Sequence, residues 1–233
     1  MLDIIQKKYA EYILKPYLSR YLQRPRMHKY KGLRIRIYPS VFHPKYFFST
    51  SLLLEFMNTV SLKEKKFCEV GAGSGLISFV AFQKGADVTA IEYNQIAIKG
   101  LTENFESNFG KKENFRILFS DLFDNVPAQQ FDILFINPPY FFKKISSETT
   151  MAWNCGENGE YFIKLFSSLR NFCHAHSEIY MVLADNCDIN RISQIAAVSN
   201  FKMIPVLEKK IKWEKNFIFK LNFGDLAPSV TNK

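Results

Sequence analysis

From Lys66 onward, short apolar runs of strand length alternate with stretches of helical periodicity. This alternation constrains the fold more than any other feature of the chain. KFCEV, DVTAIE, FRILFS, FDILFIN and EIYMVLA read as strands, and helices are expected over SGLISFVAFQK, NQIAIKGLTENFESN, Tyr161 to Cys173 and Ile189 to Val198. KMIPVLEKKI and NFIFKLNF read as two closing strands. The pattern implies a doubly wound α/β architecture, a mostly parallel sheet with helices on both faces. Upstream, STSLLLEFMNTV reads as a helix capped by Ser49 or Thr50. GLRIRIYPSVFHP alternates like a strand, with Leu33, Ile35 and Ile37 on one face and Arg34 and Arg36 on the other. No internal repeat or long linker divides residues 37–233, which read as one domain.

In open sheets of this kind, ligands sit at the carboxyl ends of the strands, near the point where strand order reverses. The Gly71 turn, Glu92, Asp121 and Asn137 all fall at predicted strand ends. Glu69-Val70-Gly71-Ala72-Gly73-Ser74-Gly75 sets three glycines at alternate positions, so the backbone can turn sharply and approach a ligand with no side chain between them. A dinucleotide fingerprint needs its third glycine one residue later, where Leu76 stands, and this weakens the dinucleotide reading. Glu92 suits two ribose hydroxyls, which dinucleotide and S-adenosylmethionine enzymes both present. Asp121 suits an adenine amine, with Leu122 or Phe123 packed on the ring. Each acid alone also suits a helix cap or an exposed loop charge.

Asn137-Pro138-Pro139-Tyr140 ends the FDILFIN strand about 60 residues after the glycine turn. Each proline biases its predecessor toward extended dihedrals and neither has an N–H to donate, so the corner is stiff. It offers the Asn137 side-chain oxygen and the Pro138 carbonyl as acceptors, with the Tyr140 ring beside them. Two convergent acceptors suit a planar NH2 group, an amide or the exocyclic amine of a base. By itself the stretch is also compatible with a buried strand ending in a proline turn.

Charge is unevenly placed. The chain carries a formal net charge of +9, and residues 1–36 hold ten of the 31 Lys and Arg against Asp3 and Glu11. Within that leader, Leu2, Ile5, Tyr9, Tyr12 and Ile13 recur at helical spacing. After Pro16, Tyr17, Leu18, Tyr21 and Leu22 form a second stripe, so residues 1–36 read as a basic N-terminal helical extension. Its charge suits structured RNA, a ribonucleoprotein or an anionic surface, or serves solubility alone. No apolar run reaches the length of a membrane span and Met1 to Lys8 lacks a signal-peptide core, so a cytoplasmic setting is expected. Cys68, Cys155, Cys173 and Cys187 form no C-x-x-C pair. The spacing of Cys173, His174, His176 and Cys187 fits no standard zinc pattern, and no metal is expected.

E-x-G-x-G-x-G, Glu92, Asp121 and N-P-P-Y, in this order and spacing, resemble the class I S-adenosylmethionine-dependent methyltransferases, and among them the HemK-like branch with its small methyltransferase domain. The resemblance covers residues 40–222: VFHPKYFFST is similar to the leading segment of that family, ENGEYFIKLF to its segment after N-P-P-Y, and EKKIKWEKNFIFKL to the closing strands of its short members. It implies a Rossmann-like, seven-stranded sheet whose last strand is antiparallel, with S-adenosyl-L-methionine as cofactor. Glu69, Gly71, Gly73 and Gly75 would line the methionine part of that cofactor, Glu92 would hold the ribose and Asp121 the adenine. Asn137, Pro138 and Tyr140 would hold the substrate nitrogen. The implied acceptor is a protein glutamine side chain, as on a release factor. The alternatives are an adenine N6 or guanine N2 amine in ribosomal or transfer RNA, or an inactive cofactor-binding assembly factor. Bacterial HemK proteins begin with a sizeable helical domain where this chain has the basic leader, and some short members rely on a partner subunit.

Overall fold

Strands that are apolar at every position must be covered on both faces, and that demand shapes the molecule. The computed structural model describes residues 23–45, 48–211 and 214–224; the apolar stripes expected within residues 1–22 lie outside them. The first described elements are two strands, β1 (Arg26–Tyr30) and β2 (Leu33–Ile37), joined as an antiparallel hairpin. A helix α1 (Phe48–Phe56) follows. The main sheet comprises β3 (Lys66–Val70), β4 (Asp87–Glu92), β5 (Phe115–Phe119), β6 (Phe131–Ile136), β7 (Cys173–Ala184), β8 (Phe201–Ile211) and β9 (Glu214–Phe223). Its strand order is β5-β4-β3-β6-β7-β9-β8. β9 runs antiparallel to both of its neighbours, and the other pairings are parallel. Order therefore reverses at β3, between β4 and β6, so the carboxyl ends of these strands flank the expected ligand crevice.

Alternate residues of each central strand enter different cores. Phe67, Ile133, Phe135 and Val182 pack under α1, α2 (Leu76–Gln83) and α3 (Gln95–Phe109). Cys68, Leu134, Ile136, Met181 and Leu183 pack under α5 (Glu160–Leu169) and α6 (Ile189–Val198). A short α4 (Glu148–Met151), capped by Ser147, lies between β6 and α5. Phenylalanines close the corner of α2, α3 and β5: Phe105 stacks on Phe115 with centroids 3.8 Å apart, and Phe79 meets both rings at 5.7 to 5.8 Å. Aromatic contacts of this kind add about 0.5–1.5 kcal/mol each beyond area burial.

Several expected boundaries move. α1 begins at Phe48, so Ser49 and Thr50 sit buried within its first turn and do not precede it as caps. The helix expected to reach Cys173 stops at Leu169, one 3-10 turn covers Arg170–Phe172, and Cys173 already pairs with Phe131. Parallel pairing across a bulge, which no periodicity in CHAHS announces, extends β7 backward. The basic leader is not helical over its last third, where β1 and β2 form a hairpin. The expected break between residues 36 and 37 falls inside β2, whose Leu33, Ile35 and Ile37 are at most 2% exposed and belong to the main core.

The hairpin is fastened to α3 by an uncommon device. Asn104 and Asn108, one helical turn apart, imitate a neighbouring strand. The Asn104 side chain accepts from Arg36 N at 2.8 Å and donates to Arg36 O at 2.8 Å, and Asn108 does the same for Arg34 at 2.9 and 2.9 Å. The outer edge of β2 is thereby paired, which blunts it against adventitious strand addition.

Candidate active site

Glu69 ends in a buried position of β3, and the chain after Val70 turns through three glycines with positive φ: Gly71 at 77°, Gly73 at 53° and Gly75 at 85°. Their duties differ. A Cβ on Gly71 would meet nothing within 4 Å, and one on Gly73 would find only Val41 Cγ1 at 3.9 Å; both residues line a cavity at the carboxyl ends of β3 to β6. A Cβ on Gly75 would stand 2.1 Å from Leu101 Cδ1 and 2.7 Å from Phe79 Cζ. Gly75 does not line the cavity, and its bareness lets α2 and α3 close beneath the turn.

Two carboxylates set this turn. Glu92, half-buried at the end of β4, accepts from Gly73 N at 2.8 Å on Oε2 and from Tyr93 N and Asn94 N at 2.8 Å on Oε1. Burial raises its pKa, the three N–H groups oppose this, and the net direction is upward. Glu69 Oε2 accepts from the Ser78 backbone N at 2.8 Å and from Ser78 Oγ at 2.5 Å. Burial nonetheless pushes the Glu69 carboxyl from the ordinary 4.5 up to about 8, with the Glu92 charge adding to the rise. Both acids also line the cavity.

Past β5, Ser120, Asp121 and Leu122 form the next wall. Leu122 is 6% exposed and adopts a left-handed φ of 54°, a strained setting for a side-chain-bearing residue. Phe123 turns away to stack on Phe172 with centroids 4.5 Å apart. Of the two residues expected beside an adenine, Leu122 is thus the one on the cavity. Asp121 Oδ2 accepts from Lys164 Nζ of α5 at 2.5 Å, and the same ammonium reaches Asp124 Oδ2 at 2.7 Å.

Asn137, Pro138, Pro139 and Tyr140 line the cavity directly after β6. The chain then folds back on itself: Phe141 N donates to Trp153 O at 3.0 Å and Cys155 N donates to Phe141 O at 2.9 Å. This clamp brings Met151, Ala152 and Trp153 to the same cavity, where the Trp153 ring lies 5.2 Å from that of Phe42. Burial raises the hydroxyl pKa of Tyr140 and of Tyr161, which also lines the cavity, so both stay neutral donors. Every residue expected at the site except Gly75 and Phe123 therefore meets at one cavity. Sequence reasoning missed Phe42, Trp153, Tyr161 and Lys164. An isolated aromatic in a polar stretch was the one available sign for Trp153, and nothing in the helical pattern of α5 marked Lys164. Among the described residues, no group of three or more His, Cys, Asp or Glu is placed to hold a metal ion, and no helix is long and apolar enough to cross a membrane.

The cavity fits an adenosyl ligand on its own geometry: open glycines on the floor, a carboxylate at the end of β4, and an apolar side chain beside a second carboxylate after β5. Comparison with known proteins adds an independent finding. The profile described as "Methyltransferase small domain" matches residues 32–202. A Methanocaldococcus jannaschii protein named "Putative protein N5-glutamine methyltransferase" is 33% identical over 141 residues, 58% of this chain and 68% of that protein. A ribosomal protein L11 methyltransferase of Prochlorococcus marinus is 32% identical over 151 residues, 62% of this chain but 48% of that enzyme's length. The chain thus spans about half of that relative. A T. thermophilus 16S rRNA methyltransferase, solved in complex with AdoMet and guanosine, superposes with a TM-score of 0.61 at 17% identity, covering 84% of this chain and 50% of that one. At that identity the likeness is one of fold. The profile match across most of the chain, over this sheet order and this cavity, makes the chain a member of the methyltransferase small domain family, within the class I S-adenosylmethionine-dependent methyltransferases.

Proposed function

We propose that the protein methylates a planar amide or amine nitrogen held at the Asn137-Pro138-Pro139-Tyr140 corner, with a protein glutamine side chain as the favoured acceptor. One observation carries the reading: the glycine turn and the proline corner line the same cavity. The likeness to the Methanocaldococcus jannaschii protein supports glutamine as the acceptor.

S-Adenosylmethionine, when bound, supplies an electrophilic methyl group next to a positive sulfur. The rest is work for the chain. Gly71 and Gly73 would leave room for the methionine part, Glu92 would accept from a ribose hydroxyl on the Oε2 lone pair that the backbone N–H groups leave free, and Leu122 and Asp121 would hold the adenine. Asn137 Oδ1 and the Pro138 carbonyl accept the two hydrogens of the substrate NH2, so its lone pair points into the cavity. As the nitrogen gains positive charge, those two oxygens stabilise it, and one of the two hydrogens they hold then leaves as a proton to water, so no strong base is required. Phe42 and Trp153 shield the cavity from water, and alignment of this kind is worth effective molarities of about 10⁵ M or more.

Asn137→Ala is expected to slow single-turnover methylation about a hundredfold or more while sparing cofactor affinity. An unchanged rate would remove Asn137 from its assigned role. A base amine in RNA is the second acceptor that the corner accommodates, and the cationic leader favours it. Incubation with cell extract and labelled cofactor separates the two: label lost to protease marks protein, and label lost to RNase marks RNA.

A further inference from the structure

The β1–β2 hairpin turns one face to the core and the other outward, and the outward face carries Met27 and Lys29 from β1 and Arg34 and Arg36 from β2. Lys29 stands directly opposite Arg34, and Met27 opposite Arg36. Because Asn104 and Asn108 occupy the N–H and C=O groups of Arg36 and Arg34, these are the non-hydrogen-bonded pairs of the ladder, where side chains approach most closely. Like charges at such positions destabilise a hairpin. The ion pairs formed among the described residues use other lysines and arginines, so among these residues no carboxylate relieves the repulsion.

The cations are also held in place. Leu33, Ile35 and Ile37 anchor β2 in the core, the asparagine clamps fix it to α3, and Lys31-Gly32, both at positive φ, make the tight turn. Along an extended strand, alternate positions recur about every 6.8 Å, which gives a row of cations and not a pocket. Such a row suits a polyanion more than a single small anion. Met27 is the one exposed apolar side chain on the face, too little to insert into a bilayer. The row also leads to the active site, since Ser40, Val41 and Phe42 line the cavity a few residues past Arg36.

We infer that Lys29, Arg34 and Arg36 form a preorganised surface for the phosphate backbone of RNA, placed to hold an RNA-containing substrate particle at the rim of the methylation cavity. The surface is independent of which nitrogen accepts the methyl group.

The test uses the full chain and a fluorescent 20-nucleotide single-stranded RNA of mixed sequence, with affinity read by anisotropy across a salt series. Each phosphate contact on a single strand contributes about 0.7 to the slope of log affinity against log salt. K29T/R34T/R36T should therefore lower the slope by about 2. K29R/R34K/R36K should retain it. If the triple variant fails to fold, Arg34→Thr alone, which relieves the repulsive pair, should melt no lower than the parent and lower the slope by about 0.7. An unchanged slope in a folded variant overturns the inference. Equal, hairpin-dependent binding of polyglutamate overturns the assignment to RNA in favour of an acidic protein. Asn137→Ala should leave the slope intact, so failure here and failure of the catalytic reading are separate results.

Discussion

Replacing Glu69 by Gln should remove one component from the pH dependence of folding, a loss of stability between about pH 5.5 and 8.5 that opposes the gain from His43, whose buried imidazole is held down at about 4. Glu69 is 4% exposed, and two effects compete over its proton. Burial favours the neutral acid, while the Ser78 N–H and hydroxyl, both directed at Oε2, favour the anion. Burial prevails, and the carboxyl rises from 4.5 to about 8. A folded-state pKa above the unfolded one means that the native protein binds the extra proton between those values. The associated stability is fully present below about pH 4.5 and is lost as pH climbs through about 8. Over the window from about pH 5.5 to 8.5, that loss amounts to about 3 kcal/mol. Denaturant unfolding at a series of pH values should show it as the difference between parent and variant. Gln keeps an acceptor for Ser78 but does not titrate, so its curve should lack this slope, whatever fixed cost the amide carries. If the difference between parent and variant grows in the parent's favour with rising pH, or does not change, the Ser78 hydrogen bonds and not burial control this site. A ligand bearing positive charge in the same cavity would favour the ionised acid. Uptake of S-adenosylmethionine near neutral pH should then release protons in the parent and fewer in the variant, read by calorimetry in buffers of different ionisation enthalpy.

The glycines of the turn should separate by mutation. Gly75→Ala combines left-handed strain with overpacking against Leu101 and Phe79, both fully buried, and should cost about 2–5 kcal/mol in thermal or denaturant unfolding. Gly71→Ala carries only the strain, about 1–2 kcal/mol, and should instead weaken S-adenosylmethionine binding; equal stability losses in the two variants would contradict the packing argument. Asn104→Ala removes both bonds to Arg36 and should cost about 1–3 kcal/mol, with hydrogen exchange accelerating over residues 26–37 while the sheet stays protected. Unaltered exchange in the hairpin would show that core packing alone holds it.

Much of this protein is legible in its sequence. Apolar runs such as FDILFIN, with no polar face, can only be strands buried on both sides, and their alternation with helices leaves a parallel sheet with ligands at its carboxyl ends. Glycine and proline carry their dihedral limits with them, so the turn at Gly71 and the corner at Asn137 were legible as single-residue chemistry. Other features depend on contacts between segments distant in sequence. Gly75 looks like its neighbours in the motif, yet Leu101 and Phe79 make it a packing glycine and keep it off the cavity. Trp153 reaches the site only because Phe141 clamps the segment that returns it, and Lys164 meets Asp121 across 43 positions. The arginines of β2 face outward in a fixed row because two asparagines some 70 residues away pair with its backbone. Local propensity and periodicity are written residue by residue, whereas burial, proton affinity and the direction of a side chain are set by whatever the folded chain brings alongside.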